Sequence, residues 1–277
     1  MRIALAQTCT GLDPEQNAAD LCDHITAAAA GGASMLFTPE MSGMIDRNRS
    51  RAAAHIRSES DDLVLSAVQN QAATSGIWVS LGSLALRDEG RDDDKWVNRS
   101  LLINPEGVVV ARYDKIHLFD VEVNAEDSWR ESAAYASGKQ AVLARTDEAG
   151  LGLSICYDVR FPSLYAALAD QGADILTVPA AFTVPTGQAH WEVLLRARAI
   201  ESSAFVIAAA QCGTHEDGRR TYGHSMVVDP WGRVLLDMAE VTGVGFCDID
   251  LNDIQEVRRK LPALKNRRDF SGPELME

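Results

Sequence analysis

The chain has 277 residues, 46% of them hydrophobic and 24% charged, which suits a globular protein with room for one large core. Its formal net charge of −14, from 26 basic against 40 acidic residues, argues against a nucleic-acid partner, because phosphate binding needs a basic face. No apolar run approaches the ~18 residues of a membrane span, so no membrane partner is expected.

In chain order, MRIALAQT carries one basic residue and a short apolar run, and reads as a first β-strand rather than a secretory signal. Further strands are expected at SMLFTPE, IWVSLGSLAL, SLLINPEG, VVVARYDK, LGLSICYD, ADILTVPAA, AFVIAAAQC, HSMVVDPWG, RVLLD and GVGFCDID. Helical patterns run from about Pro14 to Ala30, Asp61 to Thr74, Pro162 to Asp170, Gln188 to Ser202 and Asn252 to Lys260, with Gly31-Gly32 closing the first. Several strands are solidly apolar, as when both faces are covered. NPEG and DPWG mark two hairpins. The reading is a single α/β domain over residues 1–277, with more than one sheet or a large mixed one. RDEGRDDDK reads as a solvated loop, and the weakly periodic segment 117–140 as a long connection of the kind that often carries function.

Cys9, Cys22, Cys156, Cys212 and Cys247 form no CxxC pair and no metal-ligand spacing. That argues for a reducing, cytoplasmic setting, with neither a disulfide framework nor a zinc site. Three titratable residues share the carboxyl end of a strand: Glu40 after MLFTP, Lys115 after VVVARYD and Cys156 after GLGLSI. Strand ends of this kind are where α/β sheets bind ligands. Singly, each has an ordinary packing explanation, and free cysteine is often simply buried. Together they make a complete chemistry. A thiol needs a base, a desolvated carboxylate of raised pKa can supply one, and an ammonium can hold the oxyanion formed on a carbonyl carbon. The Tyr157 amide is a natural second donor.

The motifs TPE at Glu40, YDKIHLFD around Lys115 and ICYDVRFP around Cys156 resemble the three motifs of the nitrilase superfamily, the carbon–nitrogen hydrolases. The likeness runs from MRIALAQ to LPALKNRRDF. TGQAHWEVLLRARAIE, AAAQCG and YGHSMVVDPWG are similar to its Nit branch, first to amidases of deaminated glutathione and next to omega-amidases acting on 2-oxoglutaramate or 2-oxosuccinamate. The resemblance implies a four-layer α-β-β-α sandwich that pairs into a homodimer, with residues 252–277 in the dimer contacts and no metal or organic cofactor. It also implies a small-molecule amide substrate, hydrolysed through a thioester to carboxylate and ammonia. The roles it implies are Glu40 as general base and acid, Lys115 as oxyanion partner, Cys156 as nucleophile, and Glu131, in WRES, as an assisting second glutamate. Ser163 departs from the acid common after RFP in relatives.

Other readings stay beside this one. An N-carbamoyl amidohydrolase or a nitrilase would share the same residues. A Cys-His hydrolase would use His117 or His190 as base, and a binding or scaffold protein would use the fold alone. Tyr157, Phe182, Thr183 and Trp191 are candidate pocket walls, and His190 at a helix start could take a substrate carboxylate. Asp158 and Arg160 are expected to pair in the turn after Cys156, and His117 to orient Lys115.

Overall fold

The computed structural model describes residues 1–122 and 128–276. Its strands are β1 (Arg2–Gln7), β2 (Met35–Phe37), β3 (Trp78–Arg87), β4 (Trp96–Ile103), β5 (Val109–Asp114), β6 (Asp120–Glu122), β7 (Ser128–Arg130) and β8 (Val142–Arg145). They continue as β9 (Gly150–Leu153), β10 (Ile175–Thr177), β11 (Phe205–Ala208), β12 (Cys212–Thr214), β13 (Arg220–Tyr222), β14 (Met226–Val228), β15 (Val234–Asp237) and β16 (Gly243–Asp248). The helices are α1 (Pro14–Ala30), α2 (Arg49–Ala53), α3 (Leu63–Ser75), α4 (Pro162–Asp170), α5 (Val184–Ser202), α6 (Asn252–Lys260) and α7 (Ala263–Asn266).

Two six-stranded sheets form, ordered β16-β1-β2-β3-β4-β5 and β15-β14-β11-β10-β9-β8. Each has three parallel strands at its centre, β1-β2-β3 and β9-β10-β11, flanked by antiparallel ones. The solidly apolar strands follow from this layering. In β1, Ile3 and Leu5 join the core shared with β9 and β10, while Ala4 and Ala6 meet Leu21 and Ile25 of α1 and Val64 and Val68 of α3. Small alanines on that outer face let the helices lie close. The outer face of the second sheet is covered by Leu164 and Leu168 of α4 and Leu195 and Ala199 of α5. The result is an α-β-β-α sandwich.

NPEG and DPWG link β4 to β5 and β14 to β15 as antiparallel pairs. Helix α5 starts at Val184, earlier than the Gln188 expected, because Pro185 sits in its first turn, where the missing N–H costs nothing. The segment 117–140 holds the β6–β7 ribbon and a tight turn at Glu131–Ala133; residues 123–127 lie outside the described ones. No helix among the described residues is long and apolar enough to cross a membrane.

Candidate active site

Strand β5 runs in the same direction as β1, β2 and β3, so Glu40, in the loop after β2, and Lys115, directly after β5, emerge at one edge. Cys156 opens a tight turn (Cys156–Arg160) after β9 of the facing sheet and reaches the same place. The three side chains line one cavity of about 380 Å³. Lys115 Nζ donates to Glu40 Oε1 at 2.8 Å and lies 2.9 Å from Glu131 Oε2. Glu40 Oε2 accepts the Ala181 amide at 3.0 Å. The Cys156 thiol faces the Glu40 carboxylate.

The backbone is bent to make this meeting. Cys156 has φ +49°, in the left-handed region disfavoured for residues with a Cβ, and its N–H is held by Pro179 O at 2.8 Å. Met41, next to Glu40, has φ +56° and donates its N–H to Ser83 Oγ at 2.9 Å. The loop carrying Glu40 also lies on Gly82, where a Cβ would come within 2.0 Å of Thr38 O, so only glycine fits.

Burial alone would raise the Glu40 carboxyl, as the sequence suggested. The Lys115 charge, its hydrogen bond and those of Cys156 and Asn98 outweigh it and hold Glu40 below the usual range. Burial would likewise lower Lys115, yet Glu131 and Glu40 raise it well above its ordinary value. Burial and the Glu40 charge push the Cys156 thiol well up, against the pull of Lys115. At neutral pH the site therefore holds an ionised Glu40, an ammonium and a neutral thiol.

The expected Asp158–Arg160 pair does not form. Asp158 is fully buried and turns inward, taking the Tyr113 hydroxyl at 2.7 Å, the Ile155 amide at 2.9 Å and the His117 amide at 3.0 Å. Arg160 turns outward along the cavity wall, over the rings of Tyr157 and Phe182. His117 does not contact Lys115; its Nδ1 lies 2.7 Å from Asp158 Oδ1 and its ring stacks on Phe161. His190 is exposed on α5, 3.3 Å from Arg160, and does not line the cavity, which removes the helix-start reason for naming it. Tyr157, Phe182 and Thr183 do line it, whereas Trp191 is core, its Nε1 donating to His224 O.

Asn98 escaped the sequence reading. It sits near the start of β4, which runs antiparallel and so brings its amino end to the edge where β2 and β5 finish. Its side-chain amide nitrogen donates to Glu40 Oε1 at 2.9 Å and Glu131 Oε1 at 3.1 Å, and its backbone carbonyl accepts the Lys115 backbone N–H. The one signal was a buried polar residue inside the apolar run WVNRSLLI. Among the described residues no cluster of His, Cys, Asp or Glu could hold a metal ion.

Residues 2–259 match the carbon-nitrogen hydrolase family. The chain belongs to that family. This carbon–nitrogen hydrolase is 41% identical over 268 residues to a human protein named deaminated glutathione amidase, covering 96% of this chain and 82% of that one. It superposes on the Caenorhabditis elegans NitFhit protein with a TM-score of 0.88 at 39% identity, over 96% of this chain and 65% of that one. A third likeness, TM-score 0.77 and 30% identity over 95% and 98% of the two chains, is to an amidase from Nesterenkonia sp. AN1 solved with acrylamide added at its active-site cysteine. The hydrolase is thus a nitrilase-superfamily amidase of the Nit branch, a cysteine enzyme acting on carbon–nitrogen bonds other than peptide bonds.

Proposed function

We propose that this hydrolase cleaves the amide of deaminated glutathione through a thioester on Cys156. The observation that carries the reading is the cavity itself: a thiol, a carboxylate and an ammonium at its floor, and Arg47, Arg49, Arg130, Arg160 and Arg219 along its walls. Deaminated glutathione carries a 2-oxo carboxylate at one end and a glycine carboxylate at the other, so an arginine-rich cavity in a protein of net charge −14 suits it.

Glu40 takes the thiol proton as Cys156 Sγ attacks the amide carbon. Lys115 Nζ has three N–H donors, of which its two glutamate partners occupy two; the third and the Tyr157 amide hold the oxyanion. When the C–N bond breaks, Glu40 returns the proton to the nitrogen. Water then adds to the thioester with Glu40 again as base, releasing 2-oxoglutarate and restoring the thiol. Glu131 holds Lys115 in place through its ion pair and keeps the Phe119 amide at 2.6 Å. Arg160, close to Cys156 in the same turn, takes the 2-oxo carboxylate.

The leaving group needs a correction of chemistry. The scissile nitrogen of deaminated glutathione belongs to its cysteine, so the product is cysteinylglycine. Ammonia is released only from primary amides such as 2-oxoglutaramate, the second-choice substrate. The test is the appearance of cysteinylglycine from deaminated glutathione with wild type and Cys156→Ala; equal rates would remove Cys156 from the reaction.

The same reading includes a cytoplasmic homodimer. Val193 and Ile200 on α5 and Trp231 in the neighbouring turn are exposed apolar residues that support a pairing face. Sedimentation velocity would report a single protomer if this is wrong.

A further inference from the structure

Two buried donors in the cavity wall have no acceptor among the described residues: Trp129 Nε1 and Arg219 Nε. Buried polar atoms are nearly always paired, so two orphans on one wall point to something that arrives there. Both are donors, and the Arg219 guanidinium lies 4.7 Å from the Trp129 ring centroid with that of Arg47 5.5 Å away, so what arrives is anionic. Asp217 offsets part of this charge, 3.4 Å from Arg219 and 4.0 Å from Arg47, while the Asp46 carboxylate nearby is taken up by Arg51. One positive charge is left over.

The position of this pair in the cavity narrows the anion further. Aromatic rings lead away from the nucleophile's turn, Tyr157 to Phe119 at 5.1 Å between centroids and Phe119 to Trp129 at 6.4 Å. Arg160 belongs to the near end of that ladder and Arg219 to the far end. Two extended residues reach about 7 Å beyond a scissile nitrogen, so the amine half of a dipeptide amide extends along this ladder, away from the nucleophile.

We propose that Arg219 and Trp129, assisted by Arg47, form a subsite for a carboxylate at the far end of the amine half of the substrate, so that the enzyme selects amides whose leaving group ends in an acid. Resting on the proposed deaminated glutathione reading, the subsite explains how that substrate would be preferred over a primary amide, whose leaving group is ammonia and reaches nothing there.

The test compares deaminated glutathione with its analogue ending in glycine carboxamide. Titration calorimetry on Cys156→Ala gives the dissociation constants, and active enzyme gives kcat/KM. The carboxylate form should bind about 10- to 100-fold more tightly, the range of charge-assisted hydrogen bonds. Arg219→Met in the Cys156→Ala background should remove most of that preference, Arg219→Lys should restore part of it, and Trp129→Phe should reduce it less. No preference in Cys156→Ala, including no binding of either compound, or a preference that survives Arg219→Met, overturns the subsite. Preferential binding without turnover by active enzyme would instead overturn the substrate reading and leave the subsite standing.

Discussion

The Tyr113 hydroxyl donates to Asp158 Oδ2 at 2.7 Å, tying the strand that leads into Lys115 to the turn that carries Cys156. Asp158 Oδ1 takes the amide and ring of His117 as well, so one buried carboxylate grips the chain on both sides of Lys115. Burial and the neighbouring Asp158 push the Tyr113 phenol far up, so it remains a donor. Tyr113→Phe should cost about 1.5–3 kcal/mol, the range for a hydrogen bond to a charged group, and should lower kcat as the two catalytic segments loosen. Urea unfolding measures the first effect. A variant as stable as wild type would show that the remaining donors to Asp158 suffice.

Asn98 bridges Glu40 and Glu131, and its hydrogen bond favours the ionised form of Glu40. Asn98→Leu removes that support, so burial carries the Glu40 carboxyl upward and the acid limb of the kcat/KM profile moves to higher pH. A loss of about 10- to 100-fold in kcat is expected. An unmoved acid limb would mean that Asn98 merely packs.

Lys115 and Glu40 stabilise each other over a defined pH window. Glu40 is lowered in the fold, so its contribution is present above the unfolded value of about 4.3 and is lost as pH falls through the folded one. Lys115 is raised, so its contribution is complete below about 10.4 and is lost as pH rises through the folded value. Wild type should hold this stability between those limits. In Lys115→Met the buried Glu40 has lost its cation, and ionising it then opposes folding. That variant should be destabilised by about 3–5 kcal/mol near neutral pH and regain stability toward pH 5, measured as urea midpoints at pH 5 and 8. Equal losses at both pH values would count against the charge argument.

Cys156 is raised by burial and then by the Glu40 charge, while Lys115 draws it down. Glu40→Gln removes the second influence and leaves the third. The thiol of this variant should titrate lower and react faster with iodoacetamide at pH 8, even as amide turnover falls by about 10²–10⁴-fold with the loss of its base. Slower alkylation than wild type would show that Glu40 activates the thiol in the resting enzyme.

Glu40, Lys115 and Cys156 were legible because each follows an apolar run that could only be a strand, and strand ends gather ligands. Asn98 was not, since a lone amide in a strand looks alike whether it faces a site or solvent. Only the antiparallel course of β4 brings it to the right edge. Asp158 and Arg160 are close in sequence and of opposite charge, so the sequence predicts a pair; the turn sends one inward and the other along the cavity. Periodicity showed that the strands of both sheets were covered on two faces. It could not say that the sheets cover each other, because that pairing joins residues far apart in sequence, such as Leu5 and Leu153.

Glu40 and Lys115 belong to one sheet and Cys156 to the other. Until the two halves have docked, Cys156 has neither its base nor its cation, and it cannot turn over an amide. Catalysis therefore requires the docked sheets and is lost when they part. A nascent or damaged molecule would be catalytically silent, and turnover would serve as a readout of whether the sandwich is closed.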